Sequence, residues 1–129
     1  MFFFGLAVFT GTVTRPVVWE FPHGYRGWVT VEYEQPSCPP LSSDGIRMVV
    51  VVAPTGRACT SSPIQGGWHL ARYEYVLPNG RRQVIPSGGW NTASEITPLS
   101  VNTNTKREFL FVGTRQELDR SWENRPDKP

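Results

Sequence analysis

Apolar positions recur along this chain mostly at the two-residue spacing of a strand, and only near its end at the spacing of a helix. Between Pro16 and Phe21, Val17, Trp19 and Phe21 fall on one face with Val18 and Glu20 on the other. Polar and tight residues from Pro22 to Gly27 predict a turn. Beyond it Val29, Val31 and Tyr33 line one face of a half-buried strand while Thr30, Glu32 and Glu34 line the other. The run Ile46 to Ala53, "IRMVVVVA", is almost continuously apolar, the pattern of a central strand buried on both faces. "APTG" at Ala53 to Gly56 suits a type I turn, so Arg57 to Thr60 is expected to return beside that strand as a hairpin. Trp68 to Leu77 reads as a strand with Tyr73, Tyr75 and Leu77 on one face. "PNG" at Pro78 to Gly80 then predicts a hairpin with Arg81 to Ile85.

Residues 86 to 107 are polar and form the longest expected loop. Phe109 to Gly113, "FLFVG", is a further core strand. Thr114 and Glu117 have the spacing of a helix capping box, which predicts a short helical turn with Leu118 and Trp122 facing inward. About seven short strands, hairpin turns and one C-terminal helical turn point to an all-β antiparallel β-sandwich. Its expected extent is residues 13–122, with a solvated tail at 123–129.

Composition agrees with strands more than helices: 129 residues carry 12 Gly, 12 Pro and 5 Trp, a size that can bury its own core without metals. Net charge is only +2 and the basic residues are scattered, which argues against nucleic acid, since phosphate binding needs clustered cations. The start, Phe2 to Phe9, is apolar but for Gly5 and far shorter than a membrane-spanning helix. Two readings fit residues 1–12: the end of a truncated signal or anchor, or a first buried strand. The continuous phenylalanine run and the polar "TGT" after it favour the first. Any membrane attachment would come through that segment. The two cysteines, Cys38 and Cys59, each sit beside turn-forming residues and can be bridged in an exported chain; in a reducing compartment they would be buried thiols.

Catalytic groups are sparse. His23 lies in the Pro22 to Gly24 turn and His69 beside Trp68; either could join Ser61, Ser62 or Asp44 in a hydrolase or transferase arrangement, but no nucleophile-elbow pattern accompanies them. Two Cys and two His match a zinc site in number and not in spacing, and no phosphate-cradling glycine loop occurs, so no metal or cofactor is expected. "GGWHLA" at Gly66 to Ala71 and "GGWNTA" at Gly88 to Ala93 resemble each other. Flat indoles beside glycine pairs can hold sugar rings or can simply plug a core. Trp68, Trp90 and Asn91 are therefore the candidate ligand-binding residues, with glycan or an envelope protein as the candidate partner.

Taken together, "FPHGYRGWVTVEY", "CPPL", "RACTSSPIQGGW", "YEYVLPNGRR" and "FLFVGTRQEL" resemble a bacterial family, the domain of unknown function 6843, from about Phe21 to Leu118. The resemblance carries no established activity or catalytic residue. It implies an exported or envelope-attached protein and adds weight to the signal reading of residues 1–12. The resulting expectation is a non-catalytic binding or structural domain. The alternatives are a small enzyme built on the histidines, or a partner-binding or inhibitor module acting through strand edges or the 86–107 loop.

Overall fold

The computed structural model describes residues 15–65, 70–87, 96–103 and 106–127. Nine strands and one short helix follow in order: β1 (Val17–Pro22), β2 (Gly27–Glu32), β3 (Ser42–Ser43), β4 (Met48–Val51), β5 (Arg57–Cys59), β6 (Ala71–Val76), β7 (Arg82–Ile85), β8 (Thr97–Thr103), β9 (Arg107–Gly113) and α1 (Arg115–Ser121). A 3-10 turn at Trp122–Asn124 extends α1. The strands form two sheets, ordered β3-β4-β1-β6-β7 and β5-β2-β9-β8.

Both sheets are mixed, which corrects the antiparallel expectation. β1 pairs in parallel with β4 and with β6, and β2 pairs in parallel with β5, while β2–β9, β8–β9, β6–β7 and β3–β4 are antiparallel. Two of the parallel pairs, β1–β4 and β2–β5, have one origin. β1 turns at Pro22–Gly27 and continues in the other sheet as β2; β4 turns at Ala53–Gly56 and continues there as β5. Two such arches stacked side by side must run parallel in both layers. The "APTG" turn forms as expected, with the Gly56 amide donating to the Ala53 carbonyl at 2.8 Å, but it launches an arch and not a hairpin. The "PNG" hairpin does form: the Gly80 amide donates to Leu77 and the Leu77 amide to Arg81, with Gly80 at φ +85°.

One core lies between the sheets. Val17, Trp19, Phe21, Val50, Tyr75 and Ile85 enter from the first layer, and Val29, Val31, Leu110 and Val112 from the second. Complete burial of side chains such as Phe21 and Val29 contributes about 1.5–3 kcal/mol each. The rings of Trp19, Phe21 and Tyr73 stack, with the Trp19 and Tyr73 centroids 6.0 Å apart. The alternation of β1 and β2 is thus as the sequence pattern predicts. β4 departs from it: Val50 is buried, but Val51 is 60% exposed on the outer face, so the strand is covered on one side only. Val18, facing away from the core, is nonetheless buried, with Val49 and Arg72 at its register positions.

Part of the expected 86–107 loop is strand β8, which pairs with β9 through a register shift between Ser100 and Asn102. The Trp68–Leu77 strand begins at Ala71 among the described residues, and residues 1–12 lie outside them. After β9, Thr114 caps α1: the Glu117 amide donates to Thr114 Oγ1 at 3.1 Å and the Thr114 amide to Glu117 Oε1 at 3.0 Å. Leu118 is buried as expected. Trp122 is 41% exposed, correcting its inward assignment, and carries the Arg125 guanidinium 4.6 Å above its ring.

The cap also couples helix to turn, since Arg26 Nη2 lies 2.6 Å from Glu117 Oε1. The Thr114 amide first, and then Arg26, hold the Glu117 carboxyl below its ordinary value of 4.5. Because the folded value is depressed, the stability Glu117 contributes is complete above pH 4.5 and is lost as pH falls through the lowered value. Glu117→Gln is therefore expected to lower the urea midpoint at pH 7, with the gap from the parent closing toward pH 2. A gap equal at both pH values would disprove the linkage.

Candidate functional site

The arches place His23 at the opposite end of the molecule from Asp44, Ser61 and Ser62. β1 runs toward the Pro22–Gly27 turn and β2 runs back, so His23 sits at the turn end. Asp44 precedes β4 and lies near the start of β1, while Ser61 and Ser62 follow β5 where β2 ends. A six-residue strand rises roughly 20 Å, too far for His23 to share a proton with any of them. His23 packs edge-on against Tyr75, centroids 6.3 Å apart. Asp44 is committed to its own turn: it accepts from the Ile46 and Arg47 amides and from Arg47 Nε at 2.9 Å. The two amides and then the guanidinium hold its carboxyl below the usual range. His69, Trp68, Trp90 and Asn91 lie outside the described residues.

At the β2 end the loop Cys38–Leu41 is strapped across the edge of the core. Cys38 and Cys59 form a disulfide, Cα atoms 5.9 Å apart, tying the loop to β5. Thr60, buried, donates through its hydroxyl to the Pro39 carbonyl at 2.9 Å, and Ser62 Oγ accepts from the Leu41 amide at 3.0 Å. The Ser61 amide donates to Pro39 as well. Ser62 thus lends its hydroxyl oxygen to the strap, and Ser61 its backbone amide. Beneath Pro39, Pro40 and Leu41 a cleft of about 170 Å³ opens onto Val31, Val50 and Ala58. That is smaller than the roughly 300 Å³ at which small-molecule sites begin.

The "FPHGYRGW" segment builds a closed corner. The Tyr25 hydroxyl donates to the Trp28 carbonyl, the Tyr75 hydroxyl donates to the Tyr25 carbonyl at 2.7 Å, and Gly56 lies close against the hydroxyl end of Tyr25. Burial raises both phenol pKa values. Across the core, Tyr33 donates to Glu108 Oε1 at 2.7 Å; burial, then the carboxylate, pushes its phenol far above the ordinary 10.0 and keeps it a donor. All three phenols are thus committed as donors, while the Trp28 indole N–H is buried without a hydrogen-bond partner among the described residues.

Sequence patterns gave no sign of two further sets. On the outer face of the first sheet, Glu20 and Glu74 are register neighbours on β1 and β6, each matched to an arginine, Arg82 at 2.6 Å and Arg72 at 2.7 Å. Just before β1, Arg15 exchanges two bonds with the Gln65 side-chain amide, at 2.6 and 2.9 Å, and reaches Ser43 Oγ and the Gly45 carbonyl. Both rely on pairings between strands far apart in sequence. Among the described residues no cluster of His, Cys, Asp or Glu is arranged to hold a metal, and no helix is long and apolar enough to cross a membrane.

Comparisons with known proteins give a family and a similar fold. A family model described as "Family of unknown function (DUF6843)" matches residues 15–119. A 2.75 Å crystal structure of a candidate lipoprotein from Bacillus anthracis is similar in fold, with TM-score 0.57, at 23% identity, over 79% of this chain and 74% of that one. No curated protein matches the chain.

Proposed function

Since the chain belongs to DUF6843, a family whose function is not known, we propose from its own geometry that it is an exported, envelope-associated β-sandwich domain that binds or supports and does not catalyse. The observation that carries this reading is the Cys38–Cys59 disulfide across the strap, with Cys59 exposed, a bond that persists in oxidising compartments and is reduced in cytosol. The separation of His23 from Asp44, Ser61 and Ser62 supports the non-catalytic half. The lipoprotein likeness of the Bacillus anthracis structure is in keeping with the envelope half.

Trp68, Trp90 and Asn91 are the residues proposed to meet a glycan ligand, through indole stacking and amide hydrogen bonds. The test has two arms. Denaturing maleimide labelling of the protein in fractionated cells is expected to find no free thiol and to place the protein with the envelope or exterior; two free thiols in a cytosolic fraction would overturn the reading. Tryptophan fluorescence titrated with peptidoglycan fragments is expected to saturate for the parent and not for Trp90→Ala. If neither responds, the binding role is lost and the supporting role stands.

A further inference from the structure

We propose that the end of the domain where β1 begins faces a lipid bilayer, with Ile46 and Leu70 as the side chains that enter its interface. The inference rests on the envelope-associated reading above and adds to it an orientation and a contact surface. Ile46 and Leu70 are the most exposed large apolar residues among those described, at 73% and 61%. Single exposed apolar side chains are common and need no explanation. The position of these two does, because they flank the point where the chain enters the domain. The Met48 amide donates to the Pro16 carbonyl and the Val17 amide to the Leu70 carbonyl, each at 2.9 Å, so the residues just before β4 and β6 stand on either side of Arg15–Pro16. Arg15 is itself held there by Gln65, Ser43 and Gly45, all neutral acceptors or donors, which leaves its charge available to anionic headgroups.

Fourteen residues precede Arg15, among them the apolar Phe2 to Phe9. With that segment in lipid, only Thr10 to Thr14 separate the bilayer from Arg15, and the six residue steps from Phe9 to Arg15 reach roughly 20 Å when extended. The opposite end of the domain, carrying His23 and the Asn79–Gly80 hairpin, stands farther off, since the seven residue steps from Arg15 to Pro22 rise roughly 23 Å. Resting that end on the bilayer would lift Arg15 beyond the reach of its tether, whereas resting the Ile46 and Leu70 end does not stretch it.

The full chain, incorporated in nanodiscs of phosphatidylcholine and phosphatidylglycerol that carry a gadolinium-chelating lipid, provides the test through amide signal loss. Ile46, Arg47 and Leu70 are expected to lose several-fold more signal than His23, Gly24, Asn79 and Gly80. An Ile46→Asp/Leu70→Asp double variant, altered only at exposed positions, is expected to keep its melting temperature, to lose that contrast, and to partition about tenfold more weakly into plain vesicles of the same lipids. Bound protein with both ends equally affected, with the His23 end affected more, or with contrast unchanged in the double variant overturns the inference while leaving envelope association intact. Protein that does not associate with the discs at all overturns the envelope reading and this inference with it.

Discussion

Gly56→Ala is expected to destabilise the domain by about 4 kcal/mol, roughly 15 °C in Tm for a chain of this size. Gly56 adopts φ +83°, where a side chain is strained. A Cβ there would also lie 2.5 Å from the Trp28 carbonyl oxygen and closer still to the Tyr25 hydroxyl. Neither neighbour can yield cheaply: the carbonyl belongs to β2, and the hydroxyl is bonded to that same carbonyl. The Gly56 carbonyl meanwhile accepts from the Thr30 amide at 2.9 Å, so displacing Gly56 pulls apart the two stacked arches. Gly80→Ala is the control. Its φ of +85° is nearly the same, but nothing lies within 4 Å of a Cβ, so only the backbone strain of about 1 kcal/mol remains. Urea denaturation of the pair checks this. Equal losses for both would show that backbone strain alone matters and that the packed corner does not.

The second large effect concerns the strap. Replacing both cysteines, Cys38→Ser with Cys59→Ser, is expected to cost about 3 kcal/mol, the chain-entropy value for a loop closed across a separation of 21 residues. The hydrogen bonds from Thr60 to Pro39 and from the Leu41 amide to Ser62 would remain and keep the loop near its place in the folded state. The loss should therefore appear in the urea midpoint with little change in the far-ultraviolet spectrum. A loss under about 0.5 kcal/mol would mean that the unfolded chain is already restricted nearly as much without the bridge, and would overturn the chain-entropy account.

How much of this was legible in the sequence depended on the range of the interaction. Val29, Val31 and Tyr33 could be placed in the core, and Thr114 and Glu117 in a capping box, because alternation and capping are properties of a few adjacent residues. The arch at Ala53–Gly56 could not be told from a hairpin, since the same turn chemistry serves both. What separates them is whether β5 pairs with β4 or with β2, and that is settled by partners such as Thr30 and Arg57, far apart in sequence. Val51 continues the apolar run of β4 yet is exposed, because the strand lies next to an edge strand only two residues long and nothing among the described residues covers its outer face. β8 hid in a polar stretch because it is an edge strand, where the ladder with β9 and not side-chain burial holds most of its length. The candidate residues around Trp68 and Trp90 lie outside the described residues, so their role rests on the sequence and the titration proposed for it.

The placement of β1 in the middle of its sheet has a mechanical consequence. A pull on the N-terminus runs along β1, which is hydrogen-bonded in parallel to β4 on one side and β6 on the other. Such a load shears two ladders at once and cannot peel them open one bond at a time. A domain tethered through Arg15 would bear tension on its strongest axis, whereas the same force applied at the edge strand β8 would unzip it.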